Sequence, residues 1–519
     1  MASSSDSQAF STSSPETDSK IKYDVDIERQ VDCDKEVAPE TFYASKYGAL
    51  GPMFAKLFDS GVEARGIERV PEDQRDPKNT WNKSVNTTLT AIPVGTLAQG
   101  LFTLTFPHAV ATILCFGALG AAASAFVATL GPKTGMRTMI ITRYSSSLIG
   151  CTIYSILNIL TQLGFATTCL ILGGQTLASI NPGTLPLTVA IIIIAVGSLI
   201  PCLVGYNLVH FYERYAWIVV AVIMLMLLGL GAQAGFDVSS QKASEDEGRS
   251  LAADILSFGG IVYGSSSWAQ VAADFNCQLP ASISSTKVFV LTFFGIFIPT
   301  TLVEILGAVL MTISDPAYST AFENGGTGGL LSQVLSPWKG GGKFLLTLLA
   351  LSAIANNIPG TYAIGLCTQA LGRPFALVPR FIWTFLAFVI YTIASVAGRE
   401  HFAEILSNFL SILSYWIAFF VVIMAEEHFI FRRKGGRLGG YDLEAYDDRN
   451  KLPLGVAGVM AGCCGVLGAI VGMSEKWYVG PIAAKIGPAG ADLGFELAAV
   501  FAAVTYPPLR WLEIQLTGR

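Results

Sequence analysis

Along most of this chain the apolar residues come in long, nearly unbroken runs, separated by short polar connections. The runs fall at about residues 85–106, 109–130, 146–176, 186–205, 212–233, 252–274, 288–313, 343–370, 378–397, 403–430, 454–473 and 487–505. Each is near the roughly 20 residues that a helix needs to cross the hydrocarbon of a bilayer. Period-two alternation, the mark of a transmembrane barrel, is absent from them. The pattern predicts an all-α polytopic membrane protein with twelve transmembrane helices.

Two of the twelve stretches contain helix breakers. The first reads AIPVGTLAQG, with Pro93, Gly95 and Gly100, and the sixth carries Gly259, Gly260 and Gly264 just before three serines. Irregular backbone at membrane depth is tolerated where it lines a cavity, and paired interruptions at corresponding positions point to a transporter site. Pro93, Gly95, Gly259, Gly260 and Gly264 are therefore expected as broken-helix hinges, together with Pro359 in the eighth stretch. The interruptions lie five stretches apart. A unit of five helices enters the membrane in opposite directions when repeated, which gives an inverted five-plus-five repeat and two accessory helices. Close packing of helices through glycine is the competing explanation.

Polar side chains in these stretches are few and patterned. In the third, Ser155, Asn158, Gln162, Phe165 and Cys169 are spaced by three or four and share one helical face; in the eighth, Ser352, Asn356 and Gly360 do the same, with Asn357 alongside. Amides in hydrocarbon need partners, so both stripes should face the bundle interior. Hydrogen bonds between helices would account equally well for Asn158 and Gln162. Trp268 and Phe165 offer two aromatic faces for a flat ring, and Asn356 and Asn357 offer donors and acceptors to its edge. No basic residue accompanies them, which suits a planar, uncharged heterocycle better than an amino acid or a sugar phosphate. Glu304 lies deep in the seventh stretch, either as a proton carrier or as a protonated structural acid. Asp274, at the end of the sixth, is a second proton-coupling candidate or an interface residue.

Composition sharpens the class. Of 519 residues 52% are hydrophobic and 14% charged, with a mean hydropathy of +0.53. The net charge of −5 is confined to residues 1–83, which hold 11 basic and 16 acidic side chains and leave 22 of each to the rest. A neutral, charge-poor body excludes a nucleic-acid partner and an ordinary soluble enzyme. The first twenty residues lack the apolar run of a secretory signal. The segment to about residue 40 reads as disordered; Phe54, Leu57, Phe58 and Val62 recur at helical spacing beyond it, as either a membrane-surface or a packing helix. Asn82 and Asn86 match the glycosylation pattern but sit where no sugar is expected. Nine cysteines without metal-ligand spacing read as free thiols, with no metal and no cofactor.

With both termini inside, the connecting loops carry thirteen Lys and Arg on the cytoplasmic side against seven outside, as the positive-inside rule requires. The expected organisation is a cytoplasmic tail (1–83), a ten-helix core (84–430), a cytoplasmic loop (431–453), two accessory helices (454–505) and a cytoplasmic C-terminus (506–519).

Several segments together resemble the fungal purine-cytosine permeases of the nucleobase-cation symporter family: GIERVPEDQRDPKNTWNKSVN, GMRTMIITRY, AADFNCQLP, LLALSAIANNIPG, EEHFIFRR, WYVG and DLGFEL. A fungal vitamin B6 carrier is similar to the same group. The resemblance implies a leucine-transporter-like fold, alternating access, the plasma membrane, and proton-coupled (or sodium-coupled) uptake of a small heterocyclic solute such as cytosine, adenine, hypoxanthine or guanine. It implies binding roles for Asn356, Asn357, Pro359 and Trp268, which match the motifs. It also marks departures: Phe165 stands for the family's tryptophan, Cys169 and Gly360 for asparagines, and Ala91 for a serine. Each lost polar contact is worth roughly 0.5–1.5 kcal/mol, so the solute differs from an ordinary cytosine-type substrate or binds more weakly. A vitamin B6 or other nucleobase-like solute, and a non-transporting receptor on the same fold, are the alternatives that these replacements permit. Oligomeric state is not legible.

Overall fold

A computed structural model of the chain describes residues 67–75, 89–204, 206–239, 250–433, 437–488 and 490–519. The expected tail helix, the two glycosylation motifs and most of residues 1–83 lie outside these. The described part belongs to one compact unit, Arg65–Arg519.

It is almost wholly helical. Following a 3-10 turn (Leu89–Ala91) come α1 (Ile92–Gly100), α2 (Phe106–Thr134), α3 (Arg143–Ala178), α4 (Leu187–Val204), α5 (Tyr206–Ala234), α6 (Leu251–Ser266), α7 (Ser285–Leu310), α8 (Pro316–Leu335), α9 (Gly340–Ala370), α10 (Arg380–Gly398), α11 (Phe402–Glu426), α12 (Val456–Gly472) and α13 (Gly494–Thr517). Every apolar stretch of the sequence carries one of these helices. Seven are long and apolar enough to cross a membrane, and those containing Leu187–Pro201 and Val456–Gly472 are shorter apolar helices. Large apolar side chains such as Leu302, Phe344, Ile393 and Leu516 project outward, as a surface solvated by lipid requires. The protein is a multi-pass membrane protein.

Three features depart from the sequence expectation. α8 arises between the seventh and eighth stretches in a polar, glycine-rich segment; it is capped by the Asp315 carboxylate and interrupted at Gly326, whose φ of 58° suits glycine. A two-stranded ribbon, β1 (Ser474–Glu475) with β2 (Tyr478–Val479), precedes the last helix. That helix starts at Gly494 instead of 487 and continues through Pro507 and Pro508 to Thr517. One face of its far end is buried: Arg510 is 0% exposed and its guanidinium binds both oxygens of Glu427, at 3.0 and 3.2 Å, with Glu513 beyond. The ion cluster compensates the cost of burying each charge and ties α13 to the π-helical end of α11, Glu427–Phe431.

The core is built on close helix crossings. α3 packs along α9, α2 against α6 and α7, α1 on α7, and α11 on α13. At the α1–α7 crossing the backbones touch: a methyl on Gly95 would fall on the Glu304 carbonyl, and one on Gly307 on that of Ile92. Gly95→Ala is therefore expected to destabilise the protein by about 1–3 kcal/mol, the cost of overpacking, and a thermal melt in detergent checks it. An unchanged melting temperature would remove the crossing from the account.

The loop between α12 and α13 carries a second testable feature. Buried Glu475 and Asp492 both lie within hydrogen-bond reach of the Tyr415 hydroxyl on α11, which has a single proton to share between them. Burial, reinforced for Glu475 by the neighbouring Asp492 charge, pushes them up to about 7 and about 6. For acids with raised values the folded state holds its protons more tightly, so stability from this pair is present at acidic pH and lost as pH rises from about 4 through about 7. Wild type minus Glu475→Gln should show this trend in melting temperature; a flat difference would contradict it.

Candidate substrate-binding site

The break in the sixth stretch lies at Ser267 and Trp268. α6 ends at Ser266, Ser267 is extended, Trp268 leaves helical geometry, and helix resumes for Ala269–Ala272. The expected hinges Gly259, Gly260 and Gly264 sit inside α6 instead. Gly264 lies against the Leu410 backbone and Gly259 against the Phe116 ring, which is packing through small residues. In the first stretch Gly95 likewise serves a crossing. Pro93 occupies the opening turn of α1, where a missing N–H costs nothing, directly after the 3-10 turn that ends at half-buried Ala91. Pro359 is inside continuous α9, where it withholds one backbone donor.

Phe165 of α3 and Trp268 at the break are brought together. Their rings stack at 5.5 Å with an interplanar angle of 8°, and Phe409 meets Phe165 edge-on at 5.1 Å. A third ring between them would need about 7 Å, two van der Waals contacts. A flat solute must therefore part this pair or stack on an outer face of it. The Trp268 backbone N–H donates to Ser124 Oγ at 2.7 Å, which anchors the break to α2.

One turn beyond Phe165, α3 and α9 join through their polar stripes. The Cys169 thiol donates to the Ala353 carbonyl at 3.0 Å and also hydrogen-bonds with the Asn356 side chain. Asn356 is 9% exposed, while Asn357 is 3% exposed and neither atom of its amide has a hydrogen-bond partner among the described residues. A buried amide left so is costly by roughly 1–3 kcal/mol per group. Gly360 follows one turn after Asn356 and is buried.

Glu304 is fully buried on α7. Ser265, two residues before the break, donates to its Oε1 at 2.7 Å, and Oε2 has no hydrogen-bond partner among the described residues. Its backbone touches α1 at Gly95. Glu304 thus adjoins both α1 and the end of α6. Asp274 is placed differently: its carboxylate accepts from the Thr138 N–H at 2.6 Å, while Thr138 Oγ1 accepts from the Ala273 N–H at 3.1 Å. It caps the turn Thr138–Ile141. Sequence reasoning missed Ser265 because nothing in a serine run shows which hydroxyl faces an acid 39 residues away. It also missed Thr161, whose hydroxyl holds the Trp416 indole N–H at 3.1 Å.

A family described as "Permease for cytosine/purines, uracil, thiamine, allantoin" matches residues 70–495. The chain is 37% identical to the purine-cytosine permease fcyB of Emericella nidulans, over 92% of this chain and 94% of that one. It is 28% identical to the vitamin B6 transporter TPN1 of Saccharomyces cerevisiae, over 89% and 90%. In fold it resembles Mhp1, a nucleobase-cation-symport-1 family transporter solved in a closed conformation with bromovinylhydantoin bound. There the TM-score is 0.63 at 14% identity, covering 88% of this chain and 96% of that one. With a family match across most of its length and a relative 37% identical over nearly the whole of both chains, the chain belongs to the permeases for cytosine and purines, uracil, thiamine and allantoin and is a membrane transporter, not an enzyme.

Proposed function

We propose that this permease is a secondary active transporter that imports a planar, uncharged nitrogen heterocycle of the purine or cytosine kind, together with a proton, across the plasma membrane. The observation that carries the reading is the Phe165–Trp268 stack at the α6 break, with Cys169, one turn further along α3, joined to α9 at Asn356. Stacking recognises a flat ring, and Asn356 and Asn357 read its polar edge. Twelve crossings with both termini cytoplasmic, an inverted repeat of five and two accessory helices complete the arrangement. The tail (1–83), core (84–430), loop (431–453), accessory pair (454–505) and C-terminus (506–519) are the units we assign to it.

In this cycle the solute enters from outside between α1, α3, α6 and α9, and Glu304 takes a proton. The core then rocks against the remaining helices and releases both inside. Binding energy shifts the equilibrium only as far as the solute prefers one state over the other, so moderate affinity in both orientations sustains turnover.

A pyridine vitamin is the second reading. It is favoured by Ala91, Cys169 and Gly360, which leave the site more apolar, and by the similarity to TPN1. Uptake of labelled adenine and cytosine in cells lacking their own carriers separates the two. The nucleobase reading expects saturable uptake of at least one; saturable uptake of labelled pyridoxine with no uptake of either base would replace it.

A further inference from the structure

Gln162 lies on α3 one turn before Phe165, is 1% exposed, and belongs to a hydrogen-bond relay whose polarity is fixed at its far end. The Gln270 backbone carbonyl can only accept, so Asn158 must present its nitrogen there (3.4 Å), with Cys367 Sγ at 3.1 Å as a second partner. The Asn158 oxygen then faces Gln162, whose nitrogen donates to it at 3.1 Å. This leaves Gln162 Oε1 pointing away from the relay. The atom is buried and has no hydrogen-bond partner among the described residues. It lies 3.0 Å from where a Cβ on Gly360 would be, so it occupies the gap left by the missing side chain on the Asn356 face of α9.

We propose that Gln162 is a specificity-determining substrate contact, accepting a hydrogen bond from an N–H of the transported heterocycle at the gap beside Gly360. The inference rests on the function proposed above and adds the polarity of one contact. A lactam, amidine or exocyclic amino N–H satisfies an acceptor held in this orientation; an unprotonated pyridine-type nitrogen or an N-methyl group does not. The asparagines of α9 can serve either polarity, whereas Gln162 is locked by its relay.

The test uses the full-length protein in cells lacking endogenous carriers. Its probe is whichever of adenine, hypoxanthine and cytosine the wild type takes up with the lowest KM. Gln162→Met keeps the length of the side chain and removes the acceptor. It should raise KM about tenfold while the maximal rate per surface molecule stays within about twofold. Gly360→Ala, which crowds Oε1 without touching the relay, should shift KM the same way and answers the question if the first variant fails to reach the surface. The wild type should discriminate against one N-methyl isomer of the probe, and in Gln162→Met that discrimination should collapse. Wild-type KM in Gln162→Met, or undiminished discrimination, would overturn the contact and leave the transport function intact. A wild-type protein that takes up none of the three bases overturns the function itself.

Discussion

Asn356→Ala is expected to reach the membrane in wild-type amount and to lose uptake almost completely. Asn356 stands where the two polar stripes meet, bonded with Cys169 on α3 and one turn from Gly360. Alanine removes both a donor and an acceptor from a buried site. The solute groups they would have paired remain desolvated in the complex, a loss of roughly 1–3 kcal/mol for each. Together the two losses should weaken binding by at least about thirtyfold, and by about ten-thousandfold at the upper end of the same estimate. The helix itself should tolerate the change, because alanine favours helical backbone. Surface fluorescence of a tagged variant, together with initial uptake rates over a range of solute concentrations, reads the two effects separately. Unchanged KM would remove Asn356 from the binding site.

The second large effect is expected at Glu304. Glutamine there preserves size and can still accept from Ser265, but it cannot take up or release a proton. A carboxyl lodged between α1 and the end of α6 is suited to couple proton loading to the movement of those helices, since its Oε2 is uncommitted among the described residues. In symport an acidic exterior loads the carboxyl, so wild-type uptake should rise as external pH falls. Glu304→Gln should move solute at a rate insensitive to external pH and equilibrate it instead of concentrating it. If the variant keeps wild-type pH dependence and accumulation, Glu304 is a structural acid holding Ser265 in place.

Much of this arrangement was legible because a bilayer imposes a simple rule on sequence. Apolar runs near 20 residues located helices throughout the body, and spacings of three and four placed Phe165 and Cys169 on one face of α3 and Asn356 and Gly360 on one face of α9. What escaped depended on pairings distant in sequence or on polar local context. The helix α8 was invisible because PAYSTAFENGGTGG has neither apolar periodicity nor strong helix propensity and is set by packing, with Gly328 against the Gln175 backbone. The apolar run ends near residue 505, but α13 continues through Pro507 and Pro508 because the Arg510–Glu427 cluster, a pairing distant in sequence, holds the helix beyond them. The glycines of α6 signalled a break in roughly the right place for a different reason: they allow close crossings, and the chain leaves the helix only at Ser267. Gln162 stood out in the α3 stripe, but its amide orientation follows from a carbonyl on another helix.

The most direct test of transport itself is solute accumulation in vesicles containing only the purified, reconstituted protein. A panel of nucleobases and pyridine vitamins would be measured with and without an imposed inward proton gradient. At least one purine or cytosine-type base should be concentrated when the gradient is present and merely equilibrate when it is collapsed. Saturable binding with no accumulation under any gradient would contradict the account and describe a receptor built on a transporter fold.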